Sequence, residues 1–243
     1  MECSNCHKPN PGGLVYCKEC GRSLLISSDN PAGIEWVKIL DGVFLCSDDI
    51  YGGDSITRCR TFSIGKYPVT NAQYKVFLEA NPGVTAPKDW DNGKREYPAS
   101  KDNHPVVYVS YNDASAFCNW GGYRLPTKYS WEKAARGTDG RTYPWGEDWQ
   151  DGKYCNSEES NIGDTTHVDK YPEGASPYGI MDMIGNVWEW CDSIGQNNRT
   201  CKVLRGGCFT SAKYSVDCAN QSEDMPNCSY MPYGFRCVDF LHI

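Results

Sequence analysis

Fourteen of the 243 residues are cysteines, and four of them carry a spacing with chemical meaning. Cys3-Ser-Asn-Cys6 and Cys17-Lys-Glu-Cys20 are two C-x-x-C pairs with ten residues between them. Each tight turn can aim two thiolates at one tetrahedral ion at about 2.3 Å, the geometry of a structural zinc site. Pro9, Pro11, Gly12, Gly13 and Gly21 supply the turns around the pairs. So short a segment buries too little apolar surface to fold unaided, whereas zinc would contribute on the order of 10 to 16 kcal/mol. The expectation is a zinc ribbon over 1–25 with Cys3, Cys6, Cys17 and Cys20 as ligands; the alternative is two disulfides or redox pairs. A ribbon this poor in basic residues is suited to docking a protein. Zinc thiolates need a reducing compartment, in which most of the other ten cysteines read as small core residues.

The elements that would position any further chemistry follow from pattern and composition. Ile26 to Gly33 is polar and rich in Pro and Gly, so it reads as a linker (26–33) ahead of a body at 34–243. Strands are expected at Trp36–Ile39, Val43–Cys46, Thr61–Ile64 and Pro105–Val109. Three helices are expected: one capped at Thr70-Asn71 with Tyr74, Phe77 and Leu78 on one face, and one opened by Asn112-Asp113 with Ala114, Phe117 and Cys118 buried. The third follows Thr127, with Trp131, Ala134 and Ala135 inside and Gly137 as its stop. From Tyr143 onward periodicity fades. Such a stretch must satisfy its backbone through turns, side chains or bound ions.

Lys and Arg total 24 against 31 Asp and Glu, a net charge of −7, which argues against a phosphate-binding groove. Nucleic acid is therefore an unexpected partner. Apolar runs such as Val43–Cys46 and Val106–Val109 fall far short of the roughly 20 residues that span a bilayer. No basic, then apolar, leader pattern opens the sequence, so a cytoplasmic protein is expected.

Several motifs run in order along the body. They include Phe62-Ser-Ile-Gly-Lys-Tyr-Pro-Val-Thr-Asn71, His104-Pro-Val-Val-Tyr108, Arg124-Leu-Pro-Thr127, Trp131-Glu-Lys-Ala-Ala-Arg-Gly137 and Tyr143-Pro-Trp-Gly146. Gly185-Asn-Val-Trp-Glu-Trp190, Leu204-Arg-Gly-Gly207 and Gly234-Phe-Arg236 continue the series in order. Together they resemble the formylglycine-generating enzyme (sulfatase-modifying factor) family, and the resemblance implies an α+β, C-type-lectin-like fold over the body. It also implies where copper would sit in oxygen-activating members: on cysteines six and eleven residues after the Arg of Arg-Gly-Gly. Those positions here are Ser211 and Val216, so no catalytic residue is assigned. A metal-dependent oxidase using Cys208 and Cys218 instead, or an accessory module that binds a partner enzyme, are the alternatives.

Between Arg205-Gly-Gly207 and Gly234-Phe-Arg236, residues 208–233 are dense in Ser, Thr, Tyr, Asp, Asn and Cys, the composition of a recognition surface. The arrangement looks like the variable proteins of diversity-generating retroelements, prokaryotic systems whose lectin-like domain ends in a hypervariable stretch framed this way. By that resemblance the ligand-facing candidates are Thr210, Ser211, Tyr214, Ser215, Asp217, Asn220, Ser222, Asp224, Cys228, Ser229, Tyr230 and Tyr233, meeting a protein or other macromolecular ligand. The similar enzymes bind calcium in the irregular half, which makes Asp182 and Asn186 candidate calcium ligands through oxygen atoms that suit a hard cation. The alternative is that both side chains hydrogen-bond the loop. Trp131, Trp145, Trp188 and Trp190 read as core, and Arg205 and Arg236 as braces that need carboxylate or carbonyl partners.

Overall fold

Helix starts in this chain are set by side chains that replace missing backbone partners. In the computed structural model, which describes residues 30–47, 53–90 and 95–239 together with Pro9, α1 (Asn71–Ala80) opens on a reciprocal capping box. Gln73 N donates to Thr70 Oγ1 at 3.3 Å and Thr70 N donates to Gln73 Oε1 at 3.0 Å. Helix α2 (Tyr111–Gly121) uses Ser110 and Asp113 in the same way, so it begins ahead of the Asn112-Asp113 start expected from sequence. Gly122 closes it in the left-handed region at φ 77°. Thr127 caps α3 (Lys128–Arg136), and Gly137 ends it. The four ribbon cysteines, Cys3, Cys6, Cys17 and Cys20, lie outside the described residues.

Among the described residues nine strands form three sheets. β1 (Trp36–Ile39), β4 (Phe62–Gly65) and β9 (Val238–Asp239) make one in the order β1-β4-β9, and β2 (Gly42–Ser47) pairs with β3 (Asp54–Cys59) as a hairpin. The third sheet has the order β7-β6-β5-β8, built from β5 (Trp188–Ile194), β6 (Lys202–Arg205), β7 (Gln221–Asp224) and β8 (Tyr233–Gly234). Pro105–Val109 is not a strand, contrary to the sequence expectation. Pro105 makes one isolated bridge with Thr70, and Tyr108 sits at φ 57°. The run is irregular because its groups are satisfied singly: Val106 N donates to Val69 O, Val109 N to Tyr233 O, and Val109 O accepts the Trp190 indole N–H.

Among the described residues two apolar clusters fill the interior. Tyr74, Phe77, Phe117, Trp190 and Phe235 centre one; Phe62, Ile64, Trp131, Ile180 and Val203 centre the other. Trp131 and Trp190 are core as expected, while Trp145 and Trp188 are half-buried. Among the described residues no helix is long and apolar enough to cross a membrane.

Helix α3 buries charge as well as apolar surface. Glu132 accepts from Ser47 N at 2.7 Å, Ser47 Oγ at 2.9 Å, Arg136 at 3.2 Å and Arg205 at 2.5 Å. Lys133 donates to the carbonyls of Leu40 (2.9 Å) and Gly42 (3.0 Å), pinning the β2–β3 hairpin to the helix. Glu189 holds Arg236 through two 2.6 Å bonds and also accepts the Trp131 indole N–H at 2.8 Å. These buried groups are paired and hydrogen-bonded, the condition under which charge is tolerated inside.

Candidate functional site

The segment from Cys208 to Tyr233 leaves β6 through Gly206-Gly207 and returns as the edge strand β7. Both glycines are at positive φ, 91° and 75°. A Cβ on Gly207 would stand 2.4 Å from Val216 Cγ1, and one on Gly206 would stand 2.8 Å from Met183 O. The Gly-Gly pair is thus demanded by backbone conformation and by close packing together. On its return the chain pairs Gln221 with Arg205 and Asp224 with Lys202 in an antiparallel ladder. Sequence reading found no strand period here because only one edge of β7 is paired, and its side chains are not divided into buried and exposed faces.

Groups outside the segment fix its main chain. Arg205 donates to Ala219 O at 2.6 Å and Cys218 O at 2.8 Å while paired with Glu132. Phe209 N donates to Asn186 O, Cys218 N to Thr142 O, and Glu158 N to Ser211 O. Asn112 N and Trp188 N donate to Pro226 O and Pro232 O. None of these bonds depends on which side chain the segment carries at its anchored position, except that a proline could not donate.

The twelve candidate contact residues fall into three groups. Thr210, Tyr214, Ser222 and Tyr230 are exposed, with Tyr214 at 84% and Tyr230 at 62%. Ser211, Ser215, Asp217, Asn220, Asp224, Cys228 and Ser229 are half-buried. Several of these shape the loop: Ser211 Oγ accepts from Cys208 N, Asp217 Oδ1 accepts from Ala219 N and Asn220 N, and the Asn220 amide donates to Ser215 O. Tyr233 is buried, a correction to its expected exposure. Its backbone pairs with Trp188 in β8, its ring meets Trp190 edge-on at 5.1 Å, and its hydroxyl donates to Asp224.

Asp224 collects four donors: Met225 N (2.7 Å), Cys228 Sγ (3.0 Å), Tyr233 OH (3.0 Å) and Tyr230 OH (3.2 Å). Burial raises its pKa, but these bonds together outweigh burial and hold the carboxyl below its ordinary value. A depressed folded pKa contributes stability above the unfolded value and loses it as pH falls through the folded one. Asp224→Asn is therefore expected to cost about 1 to 2 kcal/mol at neutral pH. The variant should also lose less stability than the parent between pH 5 and pH 2, measured by urea unfolding across that range; parallel pH curves would contradict this.

The positions six and eleven residues beyond Arg205 offer no thiolate. Val216 is fully buried in the Trp131 cluster, and Ser211 turns its hydroxyl to Cys208 N. Cys208 Sγ lies 3.2 Å from Thr210 Oγ1 and 3.5 Å from Ser211 Oγ. Burial pushes the Cys218 thiol well above its ordinary pKa despite Arg136 and Arg205. A buried apolar Val216 and a hydroxyl do not fit a soft Cu(I) ion. Among the described residues no three His, Cys, Asp or Glu side chains are grouped to hold a metal.

Asp182 and Asn186 are buried together at φ 52° and 61°. Asn186 Nδ2 donates to Asp182 Oδ2 at 2.8 Å and Thr166 O at 3.1 Å, while its Oδ1 accepts from Thr166 N and Asn156 Nδ2. The amide thus turns nitrogen, not oxygen, toward the carboxylate. Burial pushes the Asp182 carboxyl up to about 7, and its Oδ1 has no partner. One free carboxylate oxygen beside an amide nitrogen does not fit calcium, which takes six to eight oxygens.

Sequence reasoning placed Arg205 and Arg236 as braces but missed their partners Glu132 and Glu189. A carboxylate between two tryptophans in Trp188-Glu-Trp190, and another next to Trp131 and four residues before Arg136, were the available signals. It also missed the cluster of Tyr143, Trp145, Trp149 and Tyr154.

A turn-rich α+β body whose buried arginines frame a polar segment defines a C-type-lectin-like domain of the sulfatase-modifying-factor kind. The chain belongs to the sulfatase-modifying factor enzyme 1-like family, whose model matches residues 27–240. It is 32% identical over 252 residues to a formylglycine-generating enzyme of Streptomyces coelicolor, covering 75% of this chain and 79% of that one. It is 31% identical to the uncharacterized protein YfmG of Bacillus subtilis, covering 73% of this chain and 46% of that one. The chain spans between a third and a half of the length of several curated relatives it matches, at 46%, 33% and 45%. Among solved structures, PvdO from Pseudomonas aeruginosa aligns with a TM-score of 0.73 at 21% identity, over 87% of this chain and 96% of that one. Treponema denticola variable protein 1 aligns at 0.63 and 19% identity, over 84% and 94%. These likenesses establish the shared fold.

Proposed function

We propose that the chain is a non-enzymatic binding protein that displays a contact surface on residues 208–233, as the variable proteins of diversity-generating retroelements do. The observation that carries this reading is the division of labour within the segment. Its main chain is held by Arg205, Asn186, Thr142, Glu158 and Trp188, while Thr210, Tyr214, Ser222 and Tyr230 are exposed, with Tyr230 tied back through its hydroxyl to Asp224. Exposed tyrosines offer contact area at low entropic cost, and the hydroxyls between them offer adaptable hydrogen bonds. The copper positions of oxygen-activating relatives are held by Ser211 and Val216, which supports contact over chemistry.

The test is a library randomised at Thr210, Tyr214 and Ser222 and sorted for folded display. Most members are expected to fold with stabilities within about 0.5 kcal/mol of the parent, as surface substitutions do. A library that is mostly unfolded would sink the reading. If the segment is diversified, a near-identical DNA repeat differing mainly at adenines lies close to the coding region for 205–237; a complete genome without one removes diversification and leaves the binding reading standing.

The same proposal assigns structural zinc to Cys3, Cys6, Cys17 and Cys20. Metal analysis of the full chain is expected to find one zinc per chain, lost in Cys17→Ser with Cys20→Ser. Zinc retained in that variant would refute the assignment. The ribbon is proposed to dock a protein, in the cytoplasm.

A further inference from the structure

Beside the proposed surface lies an aromatic cluster that no step above uses. Trp145 is stacked between Tyr143 (centroids 5.2 Å apart, planes at 6°) and Tyr154 (4.9 Å, 18°). Trp149 leans against Tyr143 at 5.1 Å and Trp145 at 5.9 Å. All four rings are half-buried, and Tyr143, Trp145 and Trp149 pack inward on the Trp131 cluster. Both indole N–H groups are used internally, Trp145 on Asp148 O at 2.6 Å and Trp149 on Asp151 Oδ1 at 2.7 Å. Because Trp145 has a tyrosine on each face, the indole surface left outward is that of Trp149, and it carries no free donor.

Three bonds join this region to the segment: Cys218 N to Thr142 O, Glu158 N to Ser211 O, and Lys213 N to Glu159 Oε1. The rim is acidic. Glu147, Asp148 and Asp151 are exposed beside the rings, and Asp217 of the segment and Glu159 lie close enough to Tyr143 to add to the effect of burial in raising its phenol pKa. Within the chain one cation already sits on the stack: Lys153 Nζ lies 4.8 Å from the Tyr154 centroid and pairs with Glu173. Ring faces bordered by carboxylates attract a cation through both the quadrupole and the charge, and they repel phosphates. A guanidinium, planar and weakly hydrated, satisfies both.

We propose that Trp149, backed by the Tyr143–Trp145–Tyr154 stack and its carboxylate rim, extends the contact surface and takes a basic, arginine- or lysine-bearing polypeptide segment of the ligand. The inference rests on the reading of 208–233 as a binding surface, and the test separates the two. A random-peptide library is panned on the full chain, and enriched peptides are re-measured by fluorescence anisotropy. The targets are the parent, Trp149→Ala, the exposed-charge pair Glu147→Gln with Asp148→Asn, and Tyr214→Ala with Tyr230→Ala. Enriched peptides are expected to be richer in Arg and Lys than the input. They should bind Trp149→Ala and the charge variant about fivefold more weakly or worse. The charge variant alters exposed groups only, so it decides the matter even if Trp149→Ala fails to fold. Peptides without basic enrichment, or unaffected by the charge variant, overturn the inference. If they are still lost with Tyr214→Ala and Tyr230→Ala, the surface reading survives. Failure to enrich any peptide, or enrichment insensitive to every variant, overturns the inference, and insensitivity to the tyrosine pair counts against the surface reading as well.

Discussion

Glu132→Ala is expected to lower stability by about 3 to 5 kcal/mol, the cost of leaving a buried charge unpaired. Arg205 and Glu132 are only 1% and 2% exposed, and the carboxylate also serves Ser47 and Arg136. Removing it strands Arg205, whose Nε already lacks a partner. The remaining Arg205 bonds go to Ala219 O and Cys218 O, so the loss reaches the segment that those carbonyls position. Urea unfolding of parent and variant measures the effect as a shift in midpoint at constant slope. A loss under about 1 kcal/mol would mean that the ion pair does not brace the frame.

Gly207→Ala is expected to cost about 1 to 3 kcal/mol from its left-handed backbone alone. The overlap of the new Cβ with Val216 Cγ1, 2.4 Å away, adds about 1 to 3 kcal/mol of overpacking. The two parts can be separated. Val216→Ala removes the overlapping methyl and leaves a small cavity by itself, so the double variant should be more stable than the sum of the singles implies, by about 1 kcal/mol. Strict additivity from a double-mutant cycle would show that Val216 does not lie against this turn.

Much of the frame was legible because local rules and tertiary demands agree there. Thr70 and Thr127 precede apolar stripes at helical spacing and α1 and α3 form where those signals stand, while α2 starts at its Ser110 cap, ahead of the Asn112-Asp113 start read from sequence. Strands β5 to β8 were not legible. Trp190 and Cys191 are neighbours in β5, yet both are buried, so alternation is lost. Hairpin strand β3 does alternate, but its exposed positions include Ile56, which blurs the pattern. The segment's place was readable from Arg205-Gly-Gly207 and Gly234-Phe-Arg236, whereas the direction of each side chain was not. Tyr233 shows why: composition marks it as a contact residue, but pairing of β8 with β5 turns its ring to Trp190 and its hydroxyl to Asp224. Asp182 and Asn186 have the residue types of a cation site, and only their hydrogen bonds reveal an amide nitrogen facing the carboxylate.

The central claim, contact in place of redox chemistry, is tested most directly by measuring oxygen uptake by the full chain titrated with Cu(I) in the presence of a thiol substrate peptide. No copper-dependent uptake above the free-metal background is expected. Turnover that requires copper and disappears in Cys208→Ala with Cys218→Ala would contradict it.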